Sequence, residues 1–369
     1  MASRVTTLIT SIYPPDEGGP STFTESFGKF LVERGTNVRI MTYADKSMIN
    51  RVGDNLLITR ITRKLPLIIR LPFFSFLLLL LTPSKSKVLA NGSFLECLPL
   101  IFFKKIELIS KIPGDIVWER AVAKKLTNLN VFEFQELKLP PSYRFFQRLF
   151  LYTLKKSKRV IVPSKYLYDF CINWGIESER ITLLKNTVDT KLFNLSGSEK
   201  SFDLIFVGRL VPVKQIEEIM EVATKNNFSL LIVGSGPLES NLKKFAASTG
   251  GYISFLGSLR QLDLPKALSS AKVFVQNSQI EATSYALLEA RSCGLIAVAN
   301  EITGASEVIH HGSDGFLFGD EHELSLEEAI LLAMNLSGEE IKKFATLARR
   351  DCLERFNREE VYASIKELL

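Results

Sequence analysis

Cysteine and histidine are scarce in this chain of 369 residues, with four of the first and three of the second. Cys97, Cys171, Cys293 and Cys352 lie far apart with no C-x-x-C pairing, so neither a disulfide framework nor a zinc site is indicated. That usage points to a reducing cytosol. His310, His311 and His322 are too few and too clustered for a histidine-centred triad or metal site. Catalysis is left to carboxylates, cations and backbone amides. Long apolar runs are missing as well. The segment 71–81, LPFFSFLLLLL, is shorter than the roughly 20 residues a spanning helix needs. It reads as a buried helix or as one resting against a membrane. The start of the chain, Met-Ala-Ser-Arg followed by the apolar run 5–10, lacks the length and cleavage region of a secretory signal and reads as a first strand.

What is present is globular: 46% of residues are hydrophobic and 23% charged. The length suits two domains of roughly 150 residues or more each. The net charge of +6 hides a division, because residues 1–185 carry 28 basic and 15 acidic side chains, which leaves −7 for the remainder. A basic surface attracts anionic lipid or phosphorylated acceptors. No helix carries interleaved base-reading residues, so nucleic acid is not expected as a partner.

Short β-rich runs alternate with amphipathic helix-length stretches, the pattern of parallel sheets with helices on both faces. Strands are predicted at 5–10, 38–43, 88–91, 106–112 and 160–163, and then at 204–207, 230–233, 253–256, 273–276 and 295–299. Helices are predicted at 22–34, 94–104, 143–156 and 166–174. The polar stretch 183–200, with Asn194, Ser196, Gly197 and Ser198, has the composition of a linker. The last segment, 338–369, is charged and helical in pattern.

Ligands in open α/β sheets bind at the carboxyl ends of strands, and the candidate motifs follow strands. Gly18-Gly19-Pro20 lies between the first strand and a helix. Glycine permits close backbone approach and the helix start favours an anion, although such turns are often only turns. Gly208-Arg209, followed by Lys214, suits a diphosphate, since arginine forks two oxygens and lysine adds a point charge; the plainer alternative is a pair of solvated cations. Gly234-Ser235-Gly236-Pro237 is a further strand-to-helix glycine turn. The most informative stretch runs from Gln276 to Ala290 and contains Glu281 and Glu289. On one continuous helix these two would stand about 80° apart. With Glu281 in a loop and Glu289 one turn inside a helix starting near Ser284, each carboxylate reaches a different part of one ligand. The amides of Ser284, Tyr285 and Ala286 then form an anion-binding helix start between them.

Together these features resemble the large retaining glycosyltransferase family 4, the group 1 glycosyltransferases of GT-B fold. The resemblance spans nearly the whole chain. It is carried by Gly18-Gly19, Val162-Pro163-Ser164-Lys165-Tyr166-Leu167, Asn186-Thr187-Val188-Asp189 with Phe193, Gly208-Arg209 with Lys214, and Gly234-Ser235-Gly236-Pro237. Phe255-Leu256-Gly257, the E-x7-E element, and Ser306-Glu307-Val308-Ile309 before Gly312 and Gly315 complete it. It implies an α/β fold of two Rossmann-like domains whose parallel sheets face across a donor-binding cleft, with a C-terminal helix packing back on the first. The corresponding divisions are 1–187 on the acceptor side, 188–345 for the nucleotide sugar and 346–369 for the returning helical segment.

The resemblance also implies roles. Glu281 holds hydroxyls of the donor sugar and Glu289 the ribose. Arg209 and Lys214 neutralise the departing diphosphate, and Gly19 lets a first-domain loop approach it. Gly18, Gly208, Gly234, Gly257, Ser284, Tyr285 and Ala286 complete the donor set. The implied reaction moves a hexose from a UDP- or GDP-linked donor, with retention, to a cell-surface glycan or lipid-linked precursor. Alternatives are a soluble enzyme using a small sugar or sugar phosphate, and a degenerate nucleotide-sugar-binding protein. No D-x-D sequence occurs, and no metal or other cofactor is expected beyond the donor itself. Location would be cytoplasmic, with peripheral attachment to the inner face of the membrane through the basic first domain. Three departures stand out: Gln215, Ala282 and Ser284 occupy positions where glycine is common. The first domain also lacks the histidine many members place near the reacting sugar. Asp115, after Lys111-Ile112-Pro113-Gly114, resembles an acidic residue of one subgroup there. It is the candidate to contact sugar or acceptor, with a helix cap as the alternative.

Overall fold

The computed structural model describes residues 5–195, 199–302 and 304–369, so Ser196, Gly197 and Ser198 of the expected linker lie outside the described residues. The chain forms two compact units, Met1–Leu184 with Tyr362–Leu369, and Lys185–Val361.

In the first unit β1 (Thr6–Thr10), β2 (Val38–Ala44), β3 (Met48–Val52), β4 (Leu56–Thr62), β5 (Lys87–Asn91), β6 (Glu107–Lys111), β7 (Arg159–Val162) and β8 (Ile181–Leu183) form one sheet. Their order is β3-β4-β2-β1-β5-β6-β7-β8. All neighbours are parallel except the antiparallel pair β3 and β4. That hairpin was not anticipated. β3 is an edge strand with four of its five residues exposed, so it lacks the apolar pattern that marks β1, whose residues are all buried.

The second unit contains β9 (Phe202–Val207), β10 (Leu230–Val233), β11 (Ile253–Gly257), β12 (Ala271–Gln276), β13 (Ile296–Asn300) and β14 (Phe316–Phe318), ordered β11-β10-β9-β12-β13-β14. Every pairing is parallel. The two-residue period of a strand divides its apolar residues between two cores. Ile205, Leu231, Phe274 and Ala297 point into one, and Leu204, Ile232, Val273 and Val298 into the other. The sheet is thus buried on both faces, which is why its strands read as nearly continuous apolar runs.

The C-terminal region divides later than position 345. Helix Gly338–Arg355 contributes Phe344 and Cys352 to the two cores of the second unit, and Arg349 Nη1 donates to the carbonyls of Phe193 at 2.8 Å and Ser292 at 2.6 Å. Only Tyr362–Leu369 joins the first unit. There Tyr362, 1% exposed, sets its ring edge-on against Phe23, Phe27 and Phe30 of helix Gly19–Glu33, with centroids 5.9, 5.3 and 5.5 Å away. Those phenylalanines recur at helical spacing and present one stripe.

Helix Leu67–Leu81 is not a buried core helix. Phe74, Ser75 and Leu78 are its buried residues, whereas Ile68 is 83%, Phe76 60% and Leu80 66% exposed. Among the described residues no helix is long and apolar enough to cross a membrane.

The aromatic cluster generates a stability prediction. Replacing Tyr362 by alanine removes a buried ring and its edge-to-face contacts, and is expected to cost about 3 kcal/mol in urea unfolding. A change below about 1 kcal/mol would show that the cluster contributes little to the first unit.

Candidate donor site

The second sheet changes its direction of growth at β9: the chain adds β10 and β11 on one side, then returns to place β12 on the other. Such a switch point leaves an opening beyond the carboxyl ends of the strands. Gly208, Arg209 and Lys214 follow β9, Gly234 follows β10, Gly257 ends β11, and Glu281 lies in the loop after β12.

Backbone-to-backbone approach holds these loops together. Gly208 N donates to Val233 O at 3.0 Å, Leu210 N to Ser235 O at 2.9 Å and Gly234 N to Gly257 O at 2.8 Å. A Cβ on Gly234 would stand 1.9 Å from Gly208 O, and its φ is +133°, so only glycine fits there. Gly257 also has positive φ, at +65°, but faces open space.

Lys214 closes a short 3-10 turn, and its Nζ donates to Glu281 Oε2 in a close ion pair between half-buried side chains. Two further ties hold the β12 loop: Gln279 N donates to Val213 O on the β9 loop at 2.9 Å, and Asn277 Nδ2 to Glu218 Oε2 in the helix that follows at 2.8 Å. Gln215, where glycine was the expected type, is left-handed at φ 45° and ψ 47° and starts helix Ile216–Lys225. This departure is accommodated at a strain of about 1 kcal/mol. Arg209 is exposed, and its guanidinium makes no ion pair among the described residues.

Helix Tyr285–Ser292 is capped by Ser284, whose Oγ accepts from Leu287 N at 3.3 Å. Glu281 therefore lies outside the helix and Glu289 inside it. The amides of Tyr285 and Ala286 belong to the first turn, which has no carbonyl acceptor earlier in the helix. Tyr285 Oη donates to Asn186 Oδ1 at 3.2 Å, and Asn186 Nδ2 donates to Thr283 O at 2.7 Å. Ala282 occupies a glycine-type position without conflict because the glycine is supplied by the opposing segment, at Gly304. Gly304 N donates to Glu281 O at 2.6 Å, and a Cβ on Gly304 would lie 1.4 Å from Ala282 O. Gly304 was missed in the sequence, where it does not stand beside the motif it supports, and Asn277, inside the Gln276 to Ala290 stretch, was given no role there.

Glu289 does not meet Glu281. It is 6% exposed, and burial pushes its carboxyl up to about 8, against the opposing effect of a hydrogen bond from the Gln261 side chain.

Gly18, Gly19 and Asp115 belong to the first unit. Gly18, at φ +138°, is the N-cap of helix Gly19–Glu33, and its carbonyl accepts from Thr22 N at 3.0 Å. Asp115 takes the cap alternative. Its Oδ1 accepts from Val117 N at 2.9 Å and Trp118 N at 3.1 Å, while Oδ2 accepts from Gln135 Nε2 at 2.9 Å. At 2% exposure, with burial raising its pKa, this carboxyl is turned into the protein. Among the described residues no group of three or more His, Cys, Asp or Glu is arranged to hold a metal ion.

Glu289 sets a pH dependence. A carboxyl held protonated in the folded chain up to about 8, against an ordinary 4.5, binds more protons folded than unfolded between those values. Stability must therefore fall as pH rises across that window. Glu289→Gln should flatten the Tm-against-pH profile between pH 5 and 8, and an unchanged slope would contradict the assignment.

Residues 188–351 match the family described as glycosyl transferases group 1. Over 375 aligned residues the chain is 23% identical to N-acetyl-alpha-D-glucosaminyl L-malate synthase of Bacillus anthracis, covering 96% of this chain and 94% of that one. It is 25% identical to the amylovoran biosynthesis glycosyltransferase AmsK of Erwinia amylovora, covering 68% and 67%. Among solved structures, HepE of Anabaena in complex with UDP-glucose superposes with a TM-score of 0.76 at 16% identity, over 99% of this chain and 98% of that one. The two parallel-sheet α/β units thus have the GT-B fold, and the second unit carries the match to the group 1 glycosyltransferases.

Proposed function

We propose that the chain transfers a hexose, with retention, from a UDP- or GDP-linked donor to a cell-surface glycan or its lipid-linked precursor. The observation that carries this reading is the Lys214 to Glu281 ion pair at the switch point of the second sheet, with Arg209 exposed on the same loop. A nucleotide sugar presents both partners such a pair needs. Its diphosphate takes Lys214 and Arg209, and its sugar hydroxyls donate to Glu281. Glu289, held toward its neutral form by burial, is assigned to exchange hydrogen bonds with the ribose, and the Tyr285 and Ala286 amides lie in the anion-favouring first turn between the two carboxyls in the chain. Gly208, Gly234 and Gly257 shape the floor of the site, while Gly18 and Gly19 are assigned to the donor set on the family resemblance. Asp115 is assigned to supporting its helix.

In the reaction the bond from the anomeric carbon to the phosphate oxygen breaks, and the acceptor oxygen bonds to that carbon on the same face. The acceptor proton passes to the departing phosphate. Negative charge grows on the diphosphate as it leaves, so cations already aimed there stabilise the transition state more than the ground state. Two cations supply this charge in place of a metal.

Slow hydrolysis of a panel of nucleotide sugars tests the donor half. One donor should be preferred, Glu281→Ala should lose about 100-fold or more, and a chelator should leave the wild-type rate unchanged. Equal rates in wild type and variant would remove the role given to Glu281, and restoration of a chelated enzyme by divalent metal would remove metal independence.

The acceptor half draws on the AmsK relative and on the surface of the first unit, where helix Leu67–Leu81 exposes Ile68, Phe76 and Leu80 on a basic domain. An apolar face with surrounding positive charge favours peripheral attachment to the anionic cytoplasmic leaflet. Flotation with anionic liposomes should recover the protein, and Ile68→Asp with Phe76→Asp should leave it at the bottom of the gradient. Recovery of the double variant at wild-type levels would exclude this helix as the attachment face.

A further inference from the structure

The first unit contains a cavity of about 310 Å³ lined by Ser11, Tyr43, Ser93 and Glu96 together with Arg70 and Arg120. Ser11 follows β1, Tyr43 is near the end of β2, and Ser93 follows β5. The first sheet grows from β1 toward β2 on one side and resumes with β5 on the other, so the cavity occupies its own switch point. Its size lies within the range of small-molecule pockets, roughly 300–1,000 Å³.

The polar groups around it are unevenly matched. Arg63, also on the lining, is neutralised by Asp16, in a close contact, and by Asp45 at 3.3 Å. Arg70 and Arg120 share Glu96, the acidic residue of the lining, which feels both charges. Arg120 lies over the Phe146 ring at 4.2 Å, and its guanidinium makes no hydrogen bond or ion pair among the described residues. Arg70 gives one N–H to Arg63 O at 2.8 Å and rests over the Tyr43 ring at 4.9 Å, while its Nε is buried without a partner. Ser93 is 2% exposed, and its hydroxyl is also buried without a partner. Glu96 accepts from Tyr43 Oη at 3.0 Å, and burial raises its carboxyl toward the neutral form.

A neutral ligand would leave the two guanidinium groups uncompensated, and a cation would be repelled. An oxyanion with a hydroxyl-bearing body meets every group: the guanidinium forks take its oxygens, and Ser93 and Glu96 take its hydroxyls. We propose that this cavity binds a phosphate-bearing sugar or headgroup through Arg70 and Arg120, and that this group is the anionic part of the acceptor. Only the word acceptor rests on the glycosyltransferase reading; the anion site stands on the cavity itself. Leu67 and Leu71 line the same cavity and belong to the helix that exposes Ile68 and Phe76, so a phosphate carried on a lipid has apolar surface beside it.

Calorimetric titration of the full chain with glucose 6-phosphate and with glucose tests the site, with UDP and GDP titrated in parallel to report on the second unit. The sugar phosphate should bind at least about tenfold more tightly than glucose. Arg70→Gln and Arg120→Gln should each weaken it by about 10- to 100-fold while leaving nucleotide affinity unchanged. Vesicles of phosphatidic acid that displace the sugar phosphate, where phosphatidylcholine vesicles do not, would identify a lipid-borne phosphate; failure to displace it would identify a soluble one. Equal binding of glucose and glucose 6-phosphate, no binding of either phosphate source, or unchanged affinity in both variants would overturn the proposal. If phosphate preference persists but no nucleotide binds the wild type, the donor reading fails and the anion site remains.

Discussion

The donor side depends on backbone approaching backbone with no side chain between. At Gly234 against Gly208, and at Gly304 against Ala282, the separations leave no room for a single methyl group. Loops joined this way move little, because hydrogen bonds between main chains hold them in addition to packing. Lys214 and Glu281 can therefore be held in register although both lie on connecting segments, where side chains are ordinarily less well placed than on strands. Gly304 illustrates the cost of this arrangement: its role is steric, and any larger residue would displace the carboxylate loop from behind.

Desolvation is the second organising force, and it acts differently in the two units. In the second it raises the Glu289 carboxyl, while Arg291 remains charged within a buried pair to Asp314 at 2.9 Å. In the first it brings the Lys111 ammonium, 3% exposed and 4.6 Å over the Phe23 ring, down to about 7. Burial favours the neutral form of an acid and of a base alike, so each unit carries a group near the midpoint of its titration. Arg291, with Asp314 and Asp351 against it, escapes this.

The sequence was most legible where one force acted alone. Strands of the second sheet, covered on both faces, announce themselves as apolar runs, and β9 to β13 begin and end close to their expected limits. The E-x7-E stretch was also readable, because the cap at Ser284 and the 3.6-residue helical period together require a loop carboxylate and a helix carboxylate. Legibility failed where the deciding partner is distant in the chain. Gln135 completes the Asp115 cap from 20 residues away, and no local pattern distinguishes that cap from a substrate contact. Helix Leu67–Leu81 misleads for another reason: its composition describes a core, but its neighbours cover only one face. Three-residue β14 and the exposed β3 carry too little apolar pattern to be seen at all.

The placement of Tyr362 bears on how the molecule is made. The first unit encloses Tyr362 among Phe23, Phe27 and Phe30, yet the tyrosine lies beyond the entire second unit in the chain. During synthesis the ribosome releases the strands of the first sheet early, but the ring that closes its aromatic cluster emerges only after the whole of the second unit. The second unit has everything it needs before that moment. Birth order and completion order are therefore reversed, and the half that appears first is the half that must wait.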